Sequence, residues 1–230
     1  MKTRWAALML PLLLGACASL PGPVAQLERF KDAEANNRPA EIEAERVDAD
    51  CLKAEGASDA CPQIFAIHAR ACLQLARNEA APGAACPPAT ETARRRMDCA
   101  ATGYGKARAG TGFSTSQREE FVESRARALY CGASYRTPAE GLPMAVDAGA
   151  ELDGLPPNPR RDQLAAAVAL YVANRDLLPA DQRCRAARRA ADLATRGLAS
   201  NPAQELAGGL RAAGEGARTV AARINGCGGV

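Results

Sequence analysis

Prolines recur along this chain at places where helices are expected to begin. Proline suits the first position of a helix because the N–H group that it lacks would have no partner there. Alanine, arginine and leucine dominate the segment of about four turns that follows each of these prolines. Few β-branched residues occur in runs, so the sequence predicts no strand. The helix-opening prolines are Pro39, Pro62, Pro88, Pro138, Pro159, Pro179 and Pro202.

Capping residues support several of these helix starts. Thr137 with Glu140 has the spacing of a capping box, and so has Ser116 with Glu119 at a start without proline. Asn158 and Asn201 each stand directly before a proline and can act as an N-cap. The predicted helices, nine in number, span about residues 24–36, 39–55, 62–79, 88–103, 116–135, 138–153, 159–178, 179–199 and 202–224.

Two of these helix pairs repeat each other. The segment Ala126–Tyr130 matches Ala167–Tyr171 at an offset of 41 residues, and a proline follows each segment. Gly154–Pro159 matches Gly197–Pro202 at an offset of 43 residues. A two-helix unit that recurs at 41–43 residues predicts an all-α fold, namely an α-solenoid of antiparallel helix pairs.

The small residues Ala190, Ala194 and Gly197, followed by Asn201-Pro202, resemble the second helix of a tetratricopeptide repeat. This resemblance implies that the two repeated pairs are tetratricopeptide-like. The period departs from that family, whose repeats are about 34 residues long. The helix at 202–224 would then cap the last unit, and its several glycines predict that it is either closely packed or frayed.

A short apolar segment near the N-terminus ends in Leu14-Gly15-Ala16-Cys17. It follows Lys2 and Arg4, and it is too short for a membrane-spanning helix of about 20 residues. This pattern is typical of a secretory signal. The four residues resemble the lipobox of bacterial lipoproteins. The resemblance implies cleavage before Cys17, a diacylglycerol on its thiol, and an acyl chain such as palmitate on its new N-terminus.

The residues that follow Cys17 bear on location. Ala18 and Ser19 lack the aspartate that retains members of the lipoprotein family at the inner membrane. The resemblance therefore implies the periplasmic face of the outer membrane. A tether of six residues, Ala18–Pro23, reaches at most about 20 Å, so the folded body is expected to lie close to its membrane.

The charge balance excludes one class of partner. Removal of residues 1–16 takes away two cations and leaves 27 Lys plus Arg against 26 Asp plus Glu. A net charge this small gives no long-range field that would hold nucleic acid. The expected partners are the membrane, through the lipid, and a protein of the cell envelope.

Eight cysteines remain besides Cys17, and an even number in an oxidising compartment predicts disulfides. Eight cysteines allow about 105 pairings, which sequence alone does not separate. Helix-hairpin geometry nevertheless favours three pairs and leaves a fourth as the remainder. The favoured pairs are Cys72–Cys99, Cys51–Cys61 and Cys184–Cys227, and the remaining pair is Cys86–Cys131.

One pair of residues has the spacing of a metal site. His68 and Cys72 stand four residues apart on one helical face, which suits zinc or copper. The same pair could act as a cysteine–histidine nucleophile. No CxxC or HExxH motif accompanies them, and a disulfide with an ordinary histidine fits an oxidising compartment better. We therefore assign no catalytic, cofactor-binding or metal-binding residue, and we expect no cofactor.

A glycine-rich stretch and a run of arginines are two further candidates. Gly103-Tyr104-Gly105 resembles a phosphate-binding loop, but the Gly-Lys-Ser/Thr ending is missing. A flexible loop over about residues 104–115 is therefore predicted. The run Arg94–Arg96 has no compensating carboxylate nearby except Asp98, so it is a candidate for contact with anionic lipid headgroups.

The arginines between residues 183 and 196 are predicted to form a solvated helix face. Asp181 lies four residues before Arg185, and Asp192 lies four residues from both Arg188 and Arg196. Opposite charges at this spacing meet on a helix surface. Much of this face should therefore be compensated within its own helix.

The sequence predicts a non-enzymatic adaptor or assembly factor, held in the periplasm by lipid and bound to an envelope protein. Resemblance to tetratricopeptide lipoproteins implies a role in assembling outer-membrane proteins or pili. The alternatives are an enzyme or a small-ligand or metal-binding protein that uses His68 and Cys72, and a purely structural lipoprotein. The predicted segments are a signal peptide 1–16, a tether 17–23, an N-terminal helical region 24–115, two tetratricopeptide-like pairs 116–202, and a capping helix with tail 203–230.

Overall fold

The regular structure of the described residues is entirely helical, which confirms the all-α prediction. A computed structural model describes residues 22–53 and 58–227. Besides the α-helices, these ranges hold a short 3-10 turn at Ala49–Leu52. The α-helices are α1 Pro23–Ala35, α2 Pro39–Ala44, α3 Cys61–Asn78, α4 Glu91–Ala107, α5 Thr115–Ser134, α6 Pro138–Asp153, α7 Pro159–Ala173, α8 Ala180–Ala199 and α9 Gln204–Arg223.

Side-chain caps begin α6 and α7 as predicted. The Thr137 hydroxyl accepts a hydrogen bond from the Glu140 backbone N–H at 3.4 Å, and the Glu140 carboxylate accepts one from the Thr137 N–H at 3.2 Å. This reciprocal pair is a capping box. Asn158 accepts a hydrogen bond from the backbone N–H of Arg161 at 2.9 Å. Both helices also have proline in the first turn, where its missing N–H leaves no bond unmade.

The predicted capping box of α5 is wrong in position. Ser114, not Ser116, accepts the hydrogen bond from the N–H group three residues on, which belongs to Gln117. The Gln117 side chain in turn accepts a hydrogen bond from the Ser114 N–H at 2.9 Å. Glutamine serves this role as well as Glu119 would have done. The helix therefore begins at Thr115, one residue before the predicted start.

Three prolines precede their helices instead of occupying the first turn. Helix α4 begins three residues after Pro88, and Thr90 caps it. The Thr90 N–H donates a hydrogen bond to the Pro88 carbonyl at 2.8 Å, so a tight turn at Ala89 separates this proline from the helix. Pro179 is the N-cap of α8 with an extended ψ of 149°. Helix α9 begins at Gln204, two residues after Pro202, and no side chain caps it, so the predicted N-cap at Asn201 is wrong.

The predicted helix at 39–55 is wrong beyond Ala44, where α2 ends. The buried side chain of Gln26 on α1 holds the chain that follows. Its amide donates a hydrogen bond to the Arg46 carbonyl at 2.7 Å and accepts one from the Asp48 N–H at 2.8 Å. These bonds satisfy main-chain groups that a continued helix would have paired internally.

Helix α4 runs through the predicted glycine loop. It ends at Ala107, so Gly103-Tyr104-Gly105 is helical and the connection to α5 is shorter than the predicted 104–115. A Cβ atom on Gly103 would stand 2.8 Å from the Cβ of Ala69 on α3. Tyr104 is buried and packs on Phe121. Gly103 therefore permits a close approach between α3 and α4.

The helices form two layers, and consecutive helices alternate between them. The odd layer consists of α1, α3, α5, α7 and α9, in which α1 packs on α3, α5 touches α7, and α7 packs on α9. Between α3 and α5 the link is an ion pair, with Nε of Arg70 3.8 Å from the Glu120 carboxylate. Arg161 of α7 reaches both Glu119 and Glu123 of α5 at 2.9 Å.

The even layer consists of α2, α4, α6 and α8, and ion pairs join each of these helices to the next. In each case an arginine in one helix, or directly after it, pairs with a carboxylate of a neighbouring helix of the even layer. These pairs are Arg96 with Glu43 at 2.7 Å, Arg108 with Glu151 at 2.6 Å, and Arg189 with Asp153. Most packing joins helices that are adjacent in the chain, which is the organisation of an α-solenoid.

The repeated segments of the sequence both lie in the odd layer, on α5 and α7. The rings of Tyr130 and Tyr171 meet edge to face, with centroids 6.3 Å apart. The Tyr171 hydroxyl donates a hydrogen bond to the Ala133 carbonyl at 2.9 Å. These tyrosines therefore join neighbouring helices.

Helix α9 packs closely, which settles the choice between a packed and a frayed capping helix. It lies against both α7 and α8. Leu210 has no exposed surface, and a Cβ atom on Gly216 would stand 2.8 Å from Cδ2 of Leu170 on α7. The glycines let α9 approach its neighbours closely.

Four disulfides fasten the array, and they are the four pairs that the sequence predicts. Cys51–Cys61 joins the 3-10 turn to the start of α3, and Cys72–Cys99 joins α3 to α4. Cys86–Cys131 ties the loop between α3 and α4 to α5, while Cys184–Cys227 ties α8 to the segment after α9. The Cα atoms of each pair lie 5.2–6.2 Å apart, the usual range for a disulfide.

Candidate functional site

The predicted lipidation site, Cys17, lies outside the described residues, as do the other lipobox residues and most of the tether. Helix α1 begins at Pro23, six residues after Cys17. The described structure thus starts at the end of the predicted tether. Within the described ranges, no helix has both the length and the apolar character that spanning a membrane requires.

The single histidine of the chain, His68, lies against a disulfide. Its Nδ1 atom is 3.4 Å from Sγ of Cys99. Its ring stacks on Phe30 with a centroid distance of 6.0 Å. Burial lowers the pKa of His68 below its usual value, because a charged imidazole would lose hydration there.

The pairing of His68 with a free Cys72 is overturned in the oxidised protein, because Cys72 is bonded to Cys99. A nucleophilic cysteine needs a thiolate, and so does a cysteine that binds metal. The structure adds Cys99 as a neighbour of His68. The hairpin geometry that relates Cys72 to Cys99 also places His68 opposite about residue 100, so the signal was present in the sequence.

The run Arg94–Arg96 is compensated more fully than the sequence indicates. Arg94 pairs with Glu91 of its own helix at 2.8 Å. Arg96 pairs with Glu43 of α2 at 2.7 Å and also with Glu79, which follows α3. The carboxylates that bind Arg96 are distant in sequence, so spacing within α4 could not reveal them. We therefore do not propose this run as a headgroup site.

Two arginines of α8 have partners on other elements. Nε of Arg196 is 3.1 Å from the buried carboxylate of Asp162 on α7, and Arg188 donates a hydrogen bond to the Cys227 carbonyl. The prediction that Asp192 compensates both arginines is wrong. Tertiary partners take these guanidinium groups, and this part of the α8 surface is therefore not a simple solvated face.

Three arginines of the odd layer, here called the Arg127 cluster, have no ion pair with any described residue. Arg77 lies in the last turn of α3, Arg127 in α5, and Arg160 in the first turn of α7. Burial lowers the pKa of Arg127, and the positive charges of Arg77 and Arg160 lower it further. The opposing charge of Glu123 is already bonded to Arg161 at 2.9 Å.

The sequence gives little sign of the Arg127 cluster, because its successive members are 50 and 33 residues apart and lie on three helices. Arg127 itself stands in the alanine-rich segment that repeats in α7, where valine takes the equivalent position. Only the packing of α3, α5 and α7 in one layer brings the three charges together.

Two shallow depressions mark the surface elsewhere. One, of ≈ 360 Å³, is lined in part by Val122, Ala150 and Glu151. The other, of ≈ 320 Å³, lies at the α5–α6 turn around Arg136. Glu151 and Arg136 are already engaged, Glu151 by two arginines and Arg136 by Asp98 at 2.6 Å, so we base no site on either depression.

The Arg127 cluster and the His68 disulfide are therefore the two features that bear most on function. The first is a concentration of positive charge whose neighbouring carboxylate, that of Glu123, is bonded to Arg161, and the second is an imidazole beside a pair of sulfur atoms. No protein-family model, curated protein or solved structure matches the chain, so both features are interpreted from their own chemistry.

Proposed function

We propose that this protein is a lipid-anchored adaptor of the periplasm, and that its odd layer holds an acidic segment of a second envelope protein. The observation that carries the proposal is the Arg127 cluster. A half-buried guanidinium without a carboxylate loses part of its hydration and gains no ion pair. A carboxylate supplied by a partner would offset that loss.

The neighbouring arginines show how this chain satisfies a guanidinium when its own carboxylates are available. Arg161, also half-buried, binds Glu119 and Glu123 at 2.9 Å each. Arg70 pairs with Glu34 of α1 and, at 3.8 Å, with Glu120 of α5. Arg127 lacks such a partner although it lies on the same helix as three of these four carboxylates. An acidic partner would complete the pattern.

The predicted anchor supports the choice of partner. Lipidation at Cys17 would hold the protein to a bilayer through two or more acyl chains, which together make dissociation slow. The short tether would keep the odd layer near that surface. An envelope protein with an acidic segment exposed near the outer membrane is the partner that fits both constraints.

Crosslinking in cells followed by purification of the adaptor tests the proposal. Arg127→Gln removes the charge and keeps a polar side chain, and we expect it to reduce recovery of the wild-type partner by at least about tenfold, since loss of one member of a buried charge pair costs about 2–5 kcal/mol. The matched control is Arg95→Gln, which alters an exposed arginine of α4 and should leave recovery unchanged.

Salt provides a second test of the same contact. Recovery of the partner by the purified protein should fall as ionic strength rises, because screening weakens attraction between exposed charges. Equal recovery by the wild type and Arg127→Gln would contradict the proposed surface. If no partner is recovered by either protein, the structural-lipoprotein alternative is favoured.

The anchor needs a separate experiment. Cys17→Ser removes the predicted lipidation site, and we expect the protein to move from the membrane fraction to the soluble fraction of the periplasm. An unchanged distribution would show that Cys17 is not the anchor. That result would leave the role of Arg127 open to its own test, since the two variants probe different parts of the chain.

A further inference from the structure

We propose that His68, Cys72 and Cys99 form a zinc site when the Cys72–Cys99 disulfide is reduced. One ligand atom from each residue lies within 4.8 Å of the others. The Nδ1 atom of His68 is 3.4 Å from Sγ of Cys99. Zinc bonds of about 2.0–2.3 Å in a tetrahedral site place neighbouring ligand atoms roughly 3.5 Å apart. The histidine therefore already stands at the distance that a shared metal needs.

Reduction increases the distance between Sγ of Cys72 and Sγ of Cys99 toward the value that a shared zinc ion needs. Two sulfur atoms that are no longer bonded move apart to about their contact distance, and zinc then accepts them at roughly 3.8 Å from each other. Cys72 and Cys99 lie on the adjacent helices α3 and α4. A small rotation about the side-chain bonds suffices, so the helices can keep their packing.

The surroundings of His68 resemble those of a metal-binding histidine. Such a histidine usually donates its other ring N–H to a carbonyl or a carboxylate, which fixes the orientation of the ring. Here the backbone of Glu43 lies beside the ring, and Phe30 stacks on one of its faces. The imidazole is therefore held in place before any metal arrives.

Charge selects zinc over copper(I). Two thiolates and a neutral imidazole carry a charge of −2, which Zn²⁺ cancels and Cu⁺ only halves. Cys72 is buried and Cys99 is half-buried, and an uncompensated charge in such a place is costly. Both ions bind thiolate and imidazole, so a Cu⁺ titration is the natural comparison.

Two features of the Cys72–Cys99 bond together favour its reduction and the capture of a metal. It is the one that contacts the chain's single histidine. Its Cys99 side is also half-exposed, whereas both cysteines of Cys51–Cys61 and of Cys184–Cys227 are buried. Cys86 of the fourth bond is half-exposed as well but has no histidine beside it. A reductant can therefore reach Cys99, and metal can then trap the product.

The step requires a dithiol reductant of the cell envelope. The dithiol gives two electrons and two protons to the disulfide, so that Cys72 and Cys99 become thiols and the reductant becomes a disulfide. Zinc binding then displaces both thiol protons to solvent and leaves two thiolates on the metal. This proposal is independent of the Arg127 cluster and of any protein partner.

Graded reduction of the full-length protein tests the site. The oxidised protein is treated anaerobically with a phosphine reductant, separated from it, and titrated with Zn²⁺ against a chromophoric chelator. We expect about one zinc ion per chain after partial reduction and none in the oxidised protein. Alkylation of the remaining thiols, followed by peptide mapping, should show that zinc protects Cys72 and Cys99.

Variants and a spectroscopic probe keep the result interpretable. His68→Asn removes a proposed ligand and should weaken zinc binding by at least about tenfold, since even the loss of a group that supports a ligand has an effect of that size. The double variant Cys184→Ala, Cys227→Ala removes a disulfide that has no histidine and should bind zinc as the wild type does. Co²⁺ in place of zinc should give the absorption of a tetrahedral thiolate complex in the wild type, which requires no variant to fold.

Several outcomes would overturn the proposal. These are equal zinc affinity in the oxidised protein, equal affinity in His68→Asn, and protection of Cys86 and Cys131 instead of Cys72 and Cys99. A Cys72–Cys99 bond that resists reduction while the protein stays folded would also overturn it. Tighter binding of Cu⁺ than of Zn²⁺ in competition would refute the assignment to zinc.

Discussion

Gln26 and Asp162, the two polar residues that are buried in the described part of the chain, have partners on neighbouring elements. Gln26 is 2% exposed and bonds the Arg46 carbonyl, the Asp48 N–H and the Glu45 carboxylate. Asp162 is 3% exposed and pairs with Arg196 of α8. A buried polar group without a partner would cost about 1–3 kcal/mol, so each of these contacts favours one arrangement of the helices.

The Tyr171 hydroxyl should make a measurable contribution to stability. Tyr171→Phe removes its hydrogen bond to the Ala133 carbonyl and should lower the free energy of unfolding in urea by about 1 kcal/mol. Tyr130→Phe is the matched control, since its ring packs on Tyr171 and its hydroxyl forms no hydrogen bond to a described residue. Equal losses in the two variants would show that ring packing, not the hydrogen bond, is responsible.

A second residue predicts how stability depends on pH. The hydrogen bond from Arg29, at 2.5 Å, is the main cause of a lowered pKa of Glu45, and burial opposes it. The folded state therefore releases this proton at a lower pH than the unfolded state does. The resulting stabilisation is present above about pH 4.5 and is lost as the pH falls through the pKa of the folded state.

Glu45→Gln measures this contribution. At pH 7 it should lower the free energy of unfolding by less than about 1 kcal/mol, because the Arg29–Glu45 pair is largely open to solvent. The difference from the wild type should shrink toward zero near pH 3, as urea unfolding at both pH values would reveal. A difference that is constant between the two values would mean that the charge of Glu45 is not its source.

At the scale of single residues, the sequence predicts local contacts better than distant ones. The Thr137–Glu140 box and the Asn158 cap are set by residues three apart, and both are observed. The partners of Arg96 and Arg196 come from other helices, and no local spacing announces them. The contact between His68 and Cys99 also joins two helices, and only the hairpin relation of α3 to α4 indicates it.

Proline lies at or near the starts of most helices in this chain, and glycine and alanine let neighbouring helices approach closely. Proline predicts where a helix may start only to within a few residues, since Pro88 and Pro202 lie before the first turn. The sequence predicts α2 too long, because the side chain of Gln26 on α1 bonds the main chain beyond Ala44 in place of helical hydrogen bonds. Helix number and order follow from the sequence, and helix ends depend on neighbours.

Two glycines in helices should respond to alanine in opposite ways. At Gly103 a Cβ atom would meet Ala69 at 2.8 Å and the Phe65 carbonyl at 3.0 Å, so Gly103→Ala should lower the free energy of unfolding by about 1–3 kcal/mol. At Gly208 of α9 nothing lies within 4 Å of such an atom.

Gly208→Ala should therefore raise the free energy of unfolding by about 0.5–1 kcal/mol, because alanine favours the helix more than glycine does. Thermal and urea unfolding of the two single variants would supply the comparison. A loss of stability in Gly208→Ala would mean that α9 packs more tightly at this position than its open surroundings indicate.

For the molecule as a whole, packing between successive helices implies that stability is distributed along the array. Contacts join α3 mainly to α4, and α8 mainly to α7 and α9. In repeat proteins of this kind one end can open while the other stays folded. The alternation of helices between the two layers follows from the sequence repeat. The ion pairs between helices of the same layer do not.

Removal of the last disulfide should open the C-terminal end selectively. The double variant Cys184→Ala, Cys227→Ala releases a closure across 43 residues, worth at most about 4 kcal/mol. Hydrogen exchange should become faster in α8 and α9 and remain unchanged in α3 and α4. The matched variant without Cys51 and Cys61 should affect the N-terminal helices instead. A uniform increase along the chain would indicate a single cooperative unit.

The order of the cysteines has a consequence for biogenesis. Cys86 lies between Cys72 and Cys99 in sequence, so the Cys72–Cys99 and Cys86–Cys131 bonds interlace. If the chain is exported as proposed, an oxidase that joins cysteines in the order in which they cross the membrane would link Cys72 to Cys86 before Cys99 emerges. The native bonds then form only after thiol–disulfide exchange. Maturation of this protein should accordingly depend on a disulfide isomerase, while an oxidase alone can complete the Cys51–Cys61 and Cys184–Cys227 bonds.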